Sequence, residues 1–300
     1  MTFISSLEKS LATSKFTITG ELTPPKSASI EDLLDGAKLI RDDVVATNVT
    51  DNPTSRVVMS TLATCHLIEQ HTGLETIFQI TCRDRNRLAL QSDILATNAL
   101  GIKNVLVLTG DHIVLGDHPE AKPVFDLDSV QLLWAIKRMQ EEGVDLGGKK
   151  LKTPPKLFVG AAVNPGLNPI EPEIIRLEKK IEMGAKFAQT QCLYDPNVLG
   201  EFLDQTSNLD VKILVGITPL LSAQMAKWMI KNCPGVIIPD EMIDRLKKAE
   251  NKEKEGIKMA VEVVSKIASM KIAGIHVMFP ERADLVAATV KAIKASGTVP

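Results

Sequence analysis

Val105-Leu106-Val107-Leu108-Thr109-Gly110-Asp111 carries the clearest signal of architecture in this chain. Four apolar residues in succession describe a strand covered on both faces, as in a parallel sheet. The run stops at a hydroxyl, a glycine whose backbone can approach a ligand closely, and a carboxylate. On its own, Gly-Asp after a strand is a turn. In parallel α/β folds, however, ligands bind at the carboxyl ends of the strands, and several other strands of this chain end in polar groups.

Toward the amino terminus, Phe3, Ile4, Leu7 and Leu11 mark a helix over 3–14. Residues 16–22 alternate with period two as a first strand, which Pro24-Pro25 ends. A helix is expected from Ser29, with Asp32 completing a variant capping box, to about Arg41. A second strand over 44–49 precedes Asp51-Asn52-Pro53. Helices over about 55–70, closed by Gly73, and about 86–100 flank a third strand at 76–81. Toward the carboxyl terminus, a long connection holds a helix over about 128–142. Strands follow at 157–162, 187–191, 212–217 and 274–279. Helices are expected at about 171–183 and 281–295, with a long helical section over 221–271. The charge run at 245–258 is expected to be a solvated helix face.

Strand starts recur about every 25–32 residues, two expanded connections aside, a spacing that suits β-strand–helix crossover units. Eight such units close a (β/α)8 barrel, here with an extra amino-terminal helix. A doubly wound open sheet is the competing architecture. It lacks its marks: no Gly-x-Gly-x-x-Gly follows the first strand, and no Gly-x-x-x-x-Gly-Lys-[Ser/Thr] occurs. With no internal repeat or low-complexity linker, residues 1–300 are expected to form one barrel domain.

The chain is 44% hydrophobic and 24% charged, as soluble globular proteins are. A net charge of −2 and 4% aromatics argue against nucleic-acid binding and anionic membranes. No apolar run reaches the roughly 18 residues of a membrane span, and the amino terminus has no signal-peptide pattern. Cys65, Cys82, Cys192 and Cys233 are scattered, which suits reduced thiols in the cytoplasm and gives no zinc-site spacing.

The expected strand ends are Glu21, Thr50, Gln79 with Thr81, Thr109 with Asp111, Ala161 with Ala162, Gln191 and His276. Most are polar and uncharged, a set suited to an organic ligand rich in hydrogen-bonding groups. Metal ligand sets are missing, as are a Ser-His-Asp arrangement and a strand-end lysine for Schiff-base chemistry. Ala161-Ala162 either lets a flat ligand approach the backbone or packs strand against helix. A carboxyl at the mouth of an apolar barrel can serve as a general acid near neutral pH, and Glu21 is the candidate; the plainer alternative is an exposed strand-end Glu. Glu173 and Lys180 lie two turns apart on one helix face, by spacing alone a solvated stripe.

Several motifs then appear in order: Gly-Glu-Leu-Thr-Pro-Pro-Lys at 20–26, Val49-Thr50, Thr81-Cys82-Arg83-Asp84, Val-Leu-Thr-Gly-Asp at 107–111 and Ala161-Ala162-Val163-Asn164-Pro165. Lys179-Lys180-Ile181-Glu182-Met183-Gly184-Ala185, Thr190-Gln191 with Tyr194-Asp195, and Gly274-Ile275-His276 follow. Together, over nearly the whole chain, they resemble the methylenetetrahydrofolate reductase family. The resemblance implies a flavin-containing barrel that reduces 5,10-methylenetetrahydrofolate to 5-methyltetrahydrofolate by hydride transfer to a 5-iminium cation. It implies Glu21 as the general acid that opens the imidazolidine ring, and Asp111 as a charge between flavin and pterin. It places Thr50, Gly110, Ala161, Glu173 and Lys180 against FAD (FMN being the alternative), joined by Gln79, Thr81, Thr109, Ala162 and Asn168. Gln191, Gln224, Met225 and Arg282 fall on the folate side.

The chain departs from the well-known bacterial enzymes at Gln79, Thr109 and Val163, where they carry His, Arg and Tyr, and at Met225 and Met229. Its opening motif and short length look more like the reductase subunit of acetogenic bacteria. That implies NAD(P)H or a ferredoxin-type protein as electron donor, a homo-oligomer or hetero-complex, and a cysteine-rich metal-binding partner subunit. The alternative is a barrel that binds pterin or flavin and presents substrate to a partner without catalysing the reduction.

Overall fold

The computed structural model describes residues 2–13 and 16–299. Eight strands alternate with helices along it. They are β1 (Thr17–Leu22), β2 (Ala46–Val49), β3 (Thr76–Thr81), β4 (Asn104–Leu108), β5 (Phe158–Val163), β6 (Phe187–Cys192), β7 (Lys212–Ile217) and β8 (Gly274–Val277). All neighbouring pairs are parallel, and β8 returns to β1 with Thr17 opposite Gly274, so the sheet closes into a barrel. The expected (β/α)8 architecture is therefore what the chain adopts.

Strand alternation divides the side chains between two cores. Ile18, Phe78, Ile80, Val105, Val107, Val159, Ala161, Val215 and Ile275 face outward and pack beneath the surrounding helices. Inside the barrel, Ala46, Ile77, Leu106, Phe158, Phe187 and Leu214 fill the amino-terminal end together with Leu7 and Leu11. Those two leucines come from the extra helix α1 (Ser6–Ala12), which plugs the bottom of the barrel. The Glu75 carboxylate, at the start of β3, accepts the Ser6 and Leu7 N–H groups at 2.8 and 2.9 Å, anchoring the plug through its unsatisfied amino-terminal amides. Within this layer Gly160 makes room for Phe187: a Cβ there would lie 2.3 Å from its ring, and one of the two would have to shift.

The helices around the barrel are α2 (Glu31–Ile40), α3 (Thr61–Thr72), α4 (Arg87–Ala99), α5 (Ser129–Glu141), α6 (Glu171–Glu182), α7 (Pro196–Gln205), α8 (Ala223–Asn232), α9 (Asp240–Lys248), α10 (Lys252–Ile267) and α11 (Ala283–Ala295). Four expectations need correction. Helix α2 has Ile30 at its N-cap with no side-chain cap, so the Ser29–Asp32 capping box does not form. Helix α3 starts at Thr61, since Asn52, Thr54 and Ser55 all hold positive φ and cannot continue a helix. Helix α7 was not foreseen, although Asp195 caps it and Pro196 occupies its first turn, a common helix start. The section 221–271 is three helices. Its charge run is also more than a solvated face: Arg245 on α9 reaches Glu255 and Glu262 on α10 and ties the two helices together. The expected end of the first helix, position 14, lies outside the described residues. Among those residues no helix is long and apolar enough to cross a membrane.

Candidate active site

Above the apolar plug the barrel interior turns polar, and at the carboxyl ends of the strands it opens into a cavity of about 670 Å³. That volume suits a small organic ligand or cofactor. Its floor is an amide pair: Asn48 on β2 and Gln189 on β6 exchange hydrogen bonds of 2.6 and 3.0 Å across the barrel. Each is two residues before an expected strand-end position, so the same alternation that orients Gln191 turns them inward.

Glu21 stands on the β1 side of this cavity, its side chain 11% exposed. One layer below it, the Thr19 hydroxyl lies 3.4 Å from the Ile275 carbonyl oxygen and 3.0 Å from His276 Nδ1. His276 Nε2 is 3.6 Å from Glu21 Oε2. The carboxyl therefore has open cavity on one side and a buried imidazole on the other.

The opposite wall comes from β5 and α6. Lys180, 6% exposed, donates from Nζ to the Ala162 carbonyl oxygen at 2.7 Å. Burial pushes its pKa down, and the nearby Glu173 carboxylate opposes that shift. Glu173 is buried as well; it accepts the Asn164 N–H at 3.1 Å and an Arg176 N–H at 2.8 Å. Arg176 lines the cavity and keeps its side chain 55% exposed. Two cations, one dry and one wet, thus stand on one wall with a single carboxylate between them, a donor set that matches phosphate oxygens. At the rim, Thr109 and Ser129 share a 3.1 Å hydroxyl–hydroxyl bond, and the Gln191 amide oxygen accepts the Cys192 N–H at 2.9 Å.

Glu21, Gln79, Thr109, Ala162, Glu173, Lys180 and Gln191 thus meet in one cavity. The other expected positions lie elsewhere. Asp111 is exposed on the rim, outside the cavity lining, with Oδ2 accepting the Thr54 N–H at 3.1 Å. Gly110 beside it has φ of 96°, a backbone conformation that L side chains rarely adopt, and a Cβ there would lie 3.0 Å from Thr81 Cβ and 3.1 Å from Arg83 Cβ. Thr81 commits both its N–H and its hydroxyl to Asp51 Oδ2, at 2.9 and 2.8 Å. Thr50 is buried with its hydroxyl unpartnered. Ala161 points outward into the barrel–helix core, because it is one residue out of phase with Ala162. Asn168 borders a separate hollow of about 330 Å³ between the β5–α6 loop and α7. Gln224 is exposed and Met225 half-buried on α8. Arg282 is held by Asp284 and Glu253, at 2.7 and 3.1 Å. Asp111 is thus not among the residues that line the cavity with Glu21.

Asn164, Arg176, Ser129 and Gln189 line the cavity without having been chosen as site residues, and His276, expected only as a strand end, lines it too. Arg176 lies three residues after Glu173 and four before Lys180, so helical spacing could have found it. Thr19, two before Glu21, was available from strand alternation.

A sequence model of the family described as Methylenetetrahydrofolate reductase matches residues 6–294. Methylenetetrahydrofolate reductase 2 of Schizosaccharomyces pombe is 26% identical over 213 residues, 67% of this chain and 32% of that protein. The chain thus spans about a third of that relative. The 5,10-methylenetetrahydrofolate reductase of Pectobacterium carotovorum subsp. carotovorum is 24% identical over 293 residues, covering 93% of this chain and 91% of the relative. Among solved structures, an uncharacterised protein from Clostridium thermocellum that binds two copies of 5-methyl-5,6,7,8-tetrahydrofolic acid superposes with a TM-score of 0.63. It is 14% identical, with 97% of this chain and 100% of that one covered, a likeness of fold.

Proposed function

Because this chain belongs to the methylenetetrahydrofolate reductase family, we propose that it reduces 5,10-methylenetetrahydrofolate to 5-methyltetrahydrofolate in the barrel mouth. The carrying observation is Glu21: a carboxyl enclosed at the wall of a cavity large enough for a heterocyclic ligand, with no lysine or arginine paired to it among the described residues and His276 Nε2 3.6 Å away. A flavin held there would supply the hydride. The residues of the chain do the rest. Glu21 gives its proton to the imidazolidine nitrogen that leaves the methylene carbon, and the ring opens. Gln191 and Gln189 offer amide donors and acceptors to the pterin edge. The Ala162–Val163 stretch leaves a flat face free of large side chains, against which a ring system can lie.

The cation pair favours a flavin nucleotide over a bare flavin. Lys180 and Arg176 would hold phosphate oxygens, and Glu173 orients Arg176 for the task. FAD is the form we assign, with FMN as the competing one. In this reading the electrons come from NAD(P)H or a ferredoxin-type protein, and a cysteine-rich partner subunit is compatible with it. Asp111, bound to the rim at Thr54, receives no proton-transfer step.

The test is anaerobic mixing of the flavin-reconstituted protein with 5-methyltetrahydrofolate. Bleaching of the visible flavin absorption is expected. Tight folate binding without bleaching would instead identify a barrel that presents substrate to another protein.

A further inference from the structure

We infer that Asn48 is a positioning residue for Gln189, and that Gln189, held by it at the floor of the cavity, seats the pterin ring. The inference rests on the proposed folate reduction and deepens it from the acid to the surface on which the substrate lies. β2 and β6 stand opposite each other in the closed barrel, so the amide pair of Asn48 and Gln189 spans the interior from wall to wall. Two residues earlier on the same strands, Ala46 and Phe187 belong to the apolar layer around the plug. The pair is therefore the first polar layer above the plug, and its two residues are 0% and 3% exposed.

Packing alone does not call for amides here. Two apolar side chains would fill the same level without the cost of taking two amides out of water. The pair offsets that cost internally: Asn48 Nδ2 donates to Gln189 Oε1 at 2.6 Å, and Gln189 Nε2 donates to Asn48 Oδ1 at 3.0 Å. An amide has two N–H donors and an oxygen with two lone pairs. The exchange takes one of each, which leaves Gln189 one N–H and one lone pair on opposite flanks. Gln189 lines the cavity and Asn48 does not, so this unused capacity of Gln189 is what a ligand meets. Asn48 fixes its place and its plane.

Gln79 shows the contrast. It lines the same cavity and is 8% exposed, yet among the described residues its side chain has no hydrogen-bond partner. Gln79 can turn to suit a ligand; Gln189 cannot turn alone without breaking two hydrogen bonds. The strand register places the held amide. Gln189 is opposite Ala162 on β5, and Asn48 is opposite Glu21 on β1. A ring lying against the Ala162 face thus meets the Gln189 amide, and the pair beneath sets how deep that ring sinks beside the acid. A pterin lactam, with its ring N–H and carbonyl oxygen, answers either flank of the amide.

Exchanging the two residues separates this role from a structural one. Asn48→Gln combined with Gln189→Asn keeps an amide pair of the same total length across the barrel, but draws the β6 amide back by one methylene, about 1.5 Å. Asn48→Leu removes the holder alone. Both are read by anaerobic calorimetric titration of the flavin-reduced protein with 5-methyltetrahydrofolate. Folate should bind about tenfold more weakly in each, the loss of about one neutral hydrogen bond. The KM for folate should rise by a similar factor with kcat little changed, as for lost ground-state binding. Flavin affinity should stay at its wild-type value in both, and so should the urea midpoint of the exchange variant. Folate binding at wild-type strength in the exchange variant would overturn the inference, as would weakened flavin binding in place of weakened folate binding. Wild-type protein that binds the folate without passing electrons between it and flavin, with weaker binding in both variants, would refute the proposed reduction and leave this inference standing. Wild-type protein that binds no folate would refute both.

Discussion

Lys180 Nζ lies 2.7 Å from the carbonyl oxygen of Ala162, so the one buried lysine of the cavity wall is tied to the strand whose inward face forms that wall. The carbonyl is a neutral partner, and burial holds the pKa of the ammonium below its ordinary 10.5. A phosphate would supply the missing negative charge.

Lys180→Met should therefore weaken flavin binding by about 10–100-fold, the range of a lost charge-assisted hydrogen bond. Stability should move the other way. A lysine whose pKa is lower folded than unfolded opposes folding while it is protonated in both states. That opposition fades as pH rises from the folded value to the unfolded one. Without flavin at neutral pH, the variant is expected to melt at or above the wild-type temperature, with the gap closing in the alkaline range. Fluorescence titration and thermal melts at several pH values provide the check.

Glu21→Gln keeps the size and hydrogen bonding of the side chain and removes the transferable proton. Folate reduction in single turnover should fall about 10²–10⁴-fold, the usual contribution of a positioned acid. Flavin content and reduction by the donor should stay near wild type. A variant that reduces folate at the normal rate would falsify the role of Glu21.

Gly160→Ala tests the packing beneath the site. Its Cβ would sit 2.3 Å from the Phe187 ring, which is fully buried and stacked on Phe158 with centroids 5.2 Å apart. The ring has nowhere to move without disturbing the interior layer. A loss of about 1–3 kcal/mol is expected from the overpacking. Gly160→Ala with Phe187→Leu should recover part of it, so the two changes should be non-additive in urea unfolding.

Asp51 supports the rim from below. It bonds the Thr81 N–H and hydroxyl and pairs with Arg85 at 2.7 Å, and its side chain is only 2% exposed. Asp51→Ala leaves a largely buried guanidinium with Asp93 as its ion-pair partner and the Thr81 carbonyl oxygen at 3.5 Å. Breaking a buried pair from one side costs about 3–5 kcal/mol. The measurable result is a lower urea midpoint, together with faster amide exchange at Thr81.

Much of the architecture was readable in local pattern. Each strand is a short apolar run, and the period-two alternation of Thr17-Ile18-Thr19-Gly20-Glu21-Leu22 sorts inward from outward residues with no structure in hand. Helix α7 could have been read from Asp195-Pro196. The break before α3 could not, because positive φ at Thr54 and Ser55 has no residue signature. The site divided along the same line. Glu21, Gln79, Ala162 and Gln191 follow from strand ends and alternation, whereas Glu173 and Lys180 came from the family resemblance, since helical spacing alone made them a solvated stripe. Asp111 and Ala161 come from equally plausible motifs, yet one bends away to Thr54 and the other packs outward.

The order of side chains along the chain was thus enough to determine a closed eight-stranded barrel and one acid at its mouth, since period and length are local quantities. The surroundings of that acid were decided only in three dimensions. Thr19 and His276 are 257 residues apart, as are none of the motifs that local reading can join. They meet because β8 returns to pair with β1, and the closure of the sheet sets that register.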